Sequence, residues 1–165
     1  MQQINKVIQC LIIALNSAFI GAMLIIALVI VPFWQTTQAS DFLDWFSLYS
    51  PTIGKLMIPF GPGVLMLTVI VFFIDGTNKK LWGLTIGFLL ANVLYFPIYF
   101  LPTNASFAEQ TIAINDVSTE LSTWLGFHWH RIFFALAALI TSILAVVKIQ
   151  PRIRTTQQAK GISVQ

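Results

Sequence analysis

Four long apolar stretches divide this chain, and nothing else in the sequence limits its fold as tightly. They run approximately over residues 7–33, 52–74, 81–101 and 126–149. Each reaches the roughly 20 residues that a helix needs to cross the hydrocarbon of a bilayer. None alternates apolar with polar residues as the strands of a membrane β-barrel would. Of the 165 residues, 57% are hydrophobic and 9% are charged, whereas ordinary soluble domains carry about 25% charged residues. The connections are too short for a separate domain. The expected architecture is an all-α membrane protein, a single bundle of four transmembrane helices, with a basic tail over residues 150–165.

The first stretch is too long for the apolar region of a signal peptide, about 7–15 residues, so it is read as a retained helix. Cys10 is the only cysteine, which excludes an internal disulfide and a cysteine metal cluster. A net charge of +3 is spread over scattered residues, so no nucleic-acid partner is expected. The expected partners are the lipid bilayer and a lipophilic small molecule.

Lysine and arginine positions set the expected orientation. Lys6 precedes the first stretch, Lys79 and Lys80 lie between the second and third, and Lys148, Arg152, Arg154 and Lys160 follow the fourth. The other two connections hold Asp41, Asp44, Glu109, Asp116 and Glu120 but no Lys or Arg. Both termini are therefore expected in the cytoplasm. Lys55 and Arg131 then fall near the outer ends of helices two and four.

Ala14, Ala18 and Ala22, beside Ser17 and Gly21, form a small-residue face expected to pack inside the bundle. Asn16 is expected to bond a neighbouring helix. Pro32 is expected to end helix one, and Ser40 to cap a short interfacial element reaching Tyr49. Pro59-Phe60-Gly61-Pro62-Gly63 predicts a break in helix two. Helix three offers Asn92, Tyr95 and Tyr99 on one face. Residues 105–123 read as a polar outer loop, and Asn104-Ala105-Ser106 matches a glycosylation sequon.

Helix four opens with Trp124-Leu125-Gly126-Phe127-His128-Trp129-His130-Arg131. At about 100° per residue, Trp124, His128, Arg131, Ala135, Ala138 and Ser142 share one stripe, and His130 points nearly opposite. The small residues mark that stripe as the packing face. An ionisable residue there is a functional candidate by default. Imidazole exchanges protons near neutral pH, and guanidinium offers an oxyanion a planar fork of donors. Two histidines two residues apart cannot converge on one ion, since helical metal pairs use a spacing of four. No metal is expected.

Trp124-x-x-x-His128-x-x-Arg131, Pro97 followed by Pro102-x-Asn104, and Gly21 followed by Pro32 resemble the DUF1772 or anthrone oxygenase-like membrane proteins. The resemblance covers about residues 14 to 147. It implies a four-helix membrane protein that oxidises a lipophilic aromatic substrate with O₂ and without a cofactor, in a bacterial inner membrane. In that chemistry His128 is the expected base, and Arg131 holds the developing oxyanion with help from Asn104 or Lys55. Trp124 and Tyr99 stack on flat rings, and Asn92 adds a polar group to a cavity reached from the outer leaflet. The rival expectation is a non-catalytic protein that binds a lipid or small molecule, or a subunit of a membrane complex. A closed cavity reaching His128 is expected of the enzyme, and a filled core of the rival. Arg131 paired with Asp44, Glu109 or Glu120 is expected of the rival.

Overall fold

The computed structural model describes residues 2–147. Lys148, Arg152, Arg154, Lys160, the 150–165 tail and the expected helix end at residue 149 lie outside the described residues. The remainder is helical, with no strand among the described residues. The elements are α1 (Gln2–Ile25), a π turn (Ile26–Ile30), α2 (Val31–Thr36), α3 (Ala39–Met57) and α4 (Pro62–Ile74). They continue with α5 (Lys79–Tyr95), a second π turn (Phe96–Phe100), α6 (Leu101–Ala108), a 3₁₀ turn (Ile114–Asp116) and α7 (Val117–Val147). Together they form four spans, Gln3–Thr36, Ala39–Ile74, Lys79–Ala108 and Ile114–Val147, each long and apolar enough to cross a membrane.

Several boundaries differ from the expectation. Pro32 does not end the first helix, which runs on to Thr36 through the π turn. The Val31 N–H bonds back five residues to the Ile26 carbonyl, and this wider turn makes room for the proline ring. Pro97 has the same effect in the third span, where the Leu101 N–H bonds to the Phe96 carbonyl. The third helix therefore continues to Ala108, and α7 starts at Val117. Most of the expected polar loop over 105–123 is thus helical, leaving a short connection. Ser40 is no cap, because α3 starts at Ala39 and the Ser40 hydroxyl meets only Asp41 at 3.5 Å. Residues 40–49 are the opening turns of a helix that continues to Met57. The break predicted at Pro59–Gly63 is present, between α3 and α4.

The small-residue face of α1 also lies elsewhere than expected. Ala14, Ser17, Ala18 and Gly21 are exposed, and a Cβ added at Gly21 would meet open space. Ile12, Asn16, Phe19, Ile20 and Met23 turn inward instead. Large side chains fill the centre here, so close backbone approach is unnecessary. Asn16 does act as interhelical glue, donating to the Ala135 carbonyl at 3.1 Å.

The core is layered along the bundle. At the end carrying Asp41, Asp44, Glu109, Asp116 and Glu120, an aromatic cluster gathers Trp34, Phe42, Phe46, Phe100, Phe107 and Trp124. Phe19, Met23, Ile132 and Ala135 form the middle layer. At the opposite end Ile12, Val64, Val71, Trp82 and Ala145 pack together. That end also holds a buried polar node. Asp75 accepts from Gln9 Nε2 at 2.8 Å, Trp82 Nε1 at 3.1 Å, and the Thr77 N–H and hydroxyl at 2.9 and 2.7 Å. It ties the start of α1 to the α4–α5 connection.

Candidate functional site

Of the stripe read from the spacing, Trp124, His128, Ala135, Ala138 and Ser142 are buried on α7, whereas Arg131 is half-buried and its neighbour Ile132 is buried instead. His130 lies on the exposed side. Where the acidic end of this stripe meets α1, α3 and the π turn of the third span, there is a cavity of about 100 Å³. Trp34, Ser50, Asn104, Trp124, His128 and Arg131 bring polar groups to a wall otherwise made of Phe, Met, Ile and Gly54.

His128 is 2% exposed. Its Nε2 sits 3.0 Å from the Met23 carbonyl, which can only accept, so Nε2 carries the hydrogen and the neutral ring keeps its lone pair on Nδ1. Nδ1 is buried and has no partner. Trp124 lies flat on the imidazole, with ring centroids 4.9 Å apart and planes at 13°. Its own indole N–H donates to Asn104 Oδ1 at 2.9 Å. Asn104 thereby fixes the plane that fixes the imidazole.

Arg131 is one helical turn further along the same stripe. Its guanidinium lies over the Phe100 ring, 4.7 Å from the centroid, a favourable placement for a cation. Among the described residues it forms no ion pair, and its Nε is buried without a hydrogen-bond partner. The carboxylates that could have neutralised it are engaged elsewhere. Asp44 accepts from Gln110 at 2.8 Å and Glu120 from the Tyr99 hydroxyl at 2.7 Å, while Glu109 is exposed. A cation without a counter-ion in an apolar wall is costly, and that cost falls when an anion binds beside it.

Three residues of this cavity thus carry buried polar atoms without partners: Trp34 Nε1, His128 Nδ1 and Arg131 Nε. Two are donors and one is an acceptor. Unsatisfied groups of this kind are uncommon in folded proteins and call for an explanation. To satisfy them, a ligand would have to bring an oxygen acceptor for the two donors and an acidic proton for Nδ1.

Of the residues singled out by sequence, the structure brings His128, Arg131, Trp124 and Asn104 together. Asn92 stands one cavity away. It donates to the Arg131 carbonyl at 2.7 Å, its Oδ1 is buried without a partner, and with Arg131 it lines a second cavity of about 140 Å³. Tyr99 is not at the site. It packs on Phe127 at 4.2 Å, bonded to Glu120, because the π turn rotates it off the face it would share with Asn92 in a regular helix. Phe100 takes the inward position and is 1% exposed. Lys55 is exposed and lines neither cavity, although its neighbour Gly54 lines both.

Among the described residues no three His, Cys, Asp or Glu side chains come together as metal ligands would. Comparison with family models, curated proteins and solved structures finds no match to the chain.

Of the polar cavity residues, sequence reasoning did not single out Ser50 or, more consequentially, Trp34. The latter ends a series Phe19, Met23, Ala27, Val31 and Trp34, buried at helical spacing. That large apolar ladder is the signal for it in the sequence, on the opposite side of the helix from Ala14, Ala18 and Gly21.

Proposed function

We propose that the protein is a membrane oxidoreductase of the anthrone oxygenase type, acting with O₂ on a lipophilic aromatic or quinol-like substrate. One observation carries the reading: an unpaired guanidinium and an imidazole with a free Nδ1 lie on the same apolar cavity. The order of the Trp124, His128, Arg131, Pro97 and Asn104 motifs also supports it. The four spans are those of an integral membrane protein. The placement of Lys6, Lys79 and Lys80 favours cytoplasmic termini, with the site toward the outer face of a bacterial inner membrane.

In this reading the substrate carries a benzylic CH₂ beside a ring carbonyl. His128 Nδ1 takes one proton, and the electrons move onto the carbonyl oxygen, which Arg131 holds as an oxyanion. The electron-rich anion passes one electron to O₂. The resulting radical and superoxide combine at carbon, and the peroxide oxygen takes back the proton from His128. Loss of water then leaves a second carbonyl, so CH₂ and O₂ become C=O and H₂O. Trp124 keeps the imidazole in line through the stack.

A binding protein without turnover is the second reading, and the observation favouring it is the near-complete burial of His128. Anaerobic-to-aerobic oxidation of anthrone by purified wild type, His128→Ala and Arg131→Lys separates the two, with O₂ uptake and quinone absorbance read against protein-free detergent. Quinone formation above the blank in wild type, lost in His128→Ala, is the expected result. Equal activity in all three proteins would remove His128 and Arg131 from the chemistry.

A further inference from the structure

The two cavities share Phe19, Gly54, Met57, Phe96 and Arg131, so they are neighbours. The second lies between the helix-two break, at Ile58, Gly61 and Pro62, and the third span, at Asn92, Val93, Phe96 and Pro97. Ile58 is 60% exposed and Phe96 42%, and Gly54, Pro62 and Pro97 are exposed as well. All belong to the spans Ala39–Ile74 and Lys79–Ala108, each long and apolar enough to cross a membrane.

The volumes limit the ligand. An apolar cavity of about 150 Å³ accommodates a single benzene ring. At about 100 and 140 Å³, neither cavity holds a multi-ring molecule alone. Side by side, with Arg131 common to both, they provide for an acidic head and an apolar body. Arg131 and Asn92 both line the second cavity, and each carries one buried polar atom without a partner, Arg131 Nε toward the head and Asn92 Oδ1 along the body.

We infer that the Asn92 cavity is a second binding subsite, open to the lipid between spans two and three, which holds the ring body of a flat multi-ring acid whose oxyanion sits on Arg131. The ligand comes laterally from the bilayer. Its body remains against Val93, Phe96 and Pro97 while its head reaches the His128 cavity. The inference rests on the reading of Arg131 given above and extends it from a head group to a shape.

The test is binding alone, without O₂. Protein in lipid nanodiscs is titrated calorimetrically with 9-anthracenecarboxylate and with benzoate, against empty nanodiscs. Neither acid has a CH₂ to oxidise. The three-ring acid is expected to bind at least about tenfold more tightly, since its outer rings bury further apolar area. Val93→Phe narrows only the second cavity and should abolish that advantage while leaving benzoate unchanged. Ile58→Trp is a second variant, at a residue that lines only the second of the two cavities and is 60% exposed, and it should weaken the three-ring acid in the same way. Arg131→Gln should lose both acids. Equal affinity for the two acids, or equal losses for both in Val93→Phe and Ile58→Trp, overturns the subsite. Binding as inferred with no oxidation of anthrone keeps the subsite and removes the oxygenase reading.

Discussion

Asn104 and His128 never touch, yet one orients the other through Trp124: the asparagine oxygen holds the indole N–H at 2.9 Å, and the indole lies on the imidazole at 4.9 Å. Three residues from α6 and α7 thus act as a single rigid unit. Trp124→Phe keeps a ring on His128 but loses the bond to Asn104, and should cost about 1 kcal/mol of stability. Trp124→Ala removes a buried ring from the aromatic cluster and should cost about 3–5 kcal/mol. Thermal unfolding in detergent checks the order of the two; equal losses would mean that the stack contributes little.

Arg131 should behave unlike a structural arginine. It has no ion pair among the described residues, so Arg131→Met breaks none and relieves an uncompensated charge. Stability should be unchanged or higher by up to about 2 kcal/mol, while affinity for acidic ligands is lost. A marked fall in melting temperature would show that the guanidinium is a brace.

At the opposite end, Asp75 should be the least replaceable polar residue. Asp75→Ala strands donors on Gln9, Thr77 and Trp82 and should cost about 3 kcal/mol, against about 1 kcal/mol for Gln9→Ala or Trp82→Phe. Combining Asp75→Ala with Gln9→Ala should be less than additive, because they share a bond. A double-mutant cycle on unfolding reads this coupling, and strict additivity would deny it.

The outward face of α1 predicts tolerance. Ala18→Leu and Gly21→Leu each add bulk where the fold leaves space and should change monomer stability by less than about 0.5 kcal/mol. A larger loss in either variant would mean that this face packs against protein after all.

The four spans were legible because a bilayer imposes a length and a composition on whatever crosses it. The head of the site was legible for a similar reason: a regular helix turns by a fixed angle, and α7 is regular from Val117 to Val147, so His128 could be told from His130 by counting. Counting failed where the helices are irregular. A regular turn would place Tyr99 inward, but Pro97 sits in a wider one, and the chain widens around Pro32 rather than stopping there. The α1 face failed for another reason. Small residues permit close packing but do not require it, and Phe19 and Met23 fill the space instead. Nothing local marks Asp75, whose partners lie up to 66 residues away in the chain.

The wide turn at Phe96–Phe100 has a consequence for phase. Asn92 and Asn104 are twelve residues apart, and in an unbroken α-helix they would point about 120° away from each other. One surplus residue absorbed in the turn removes about 100° of that difference and brings them within about 20°. Both then meet α7, Asn92 at the Arg131 carbonyl and Asn104 at the Trp124 indole. A single proline-tolerant turn brings the two halves of one helix into step, so that both read the same stripe of their neighbour.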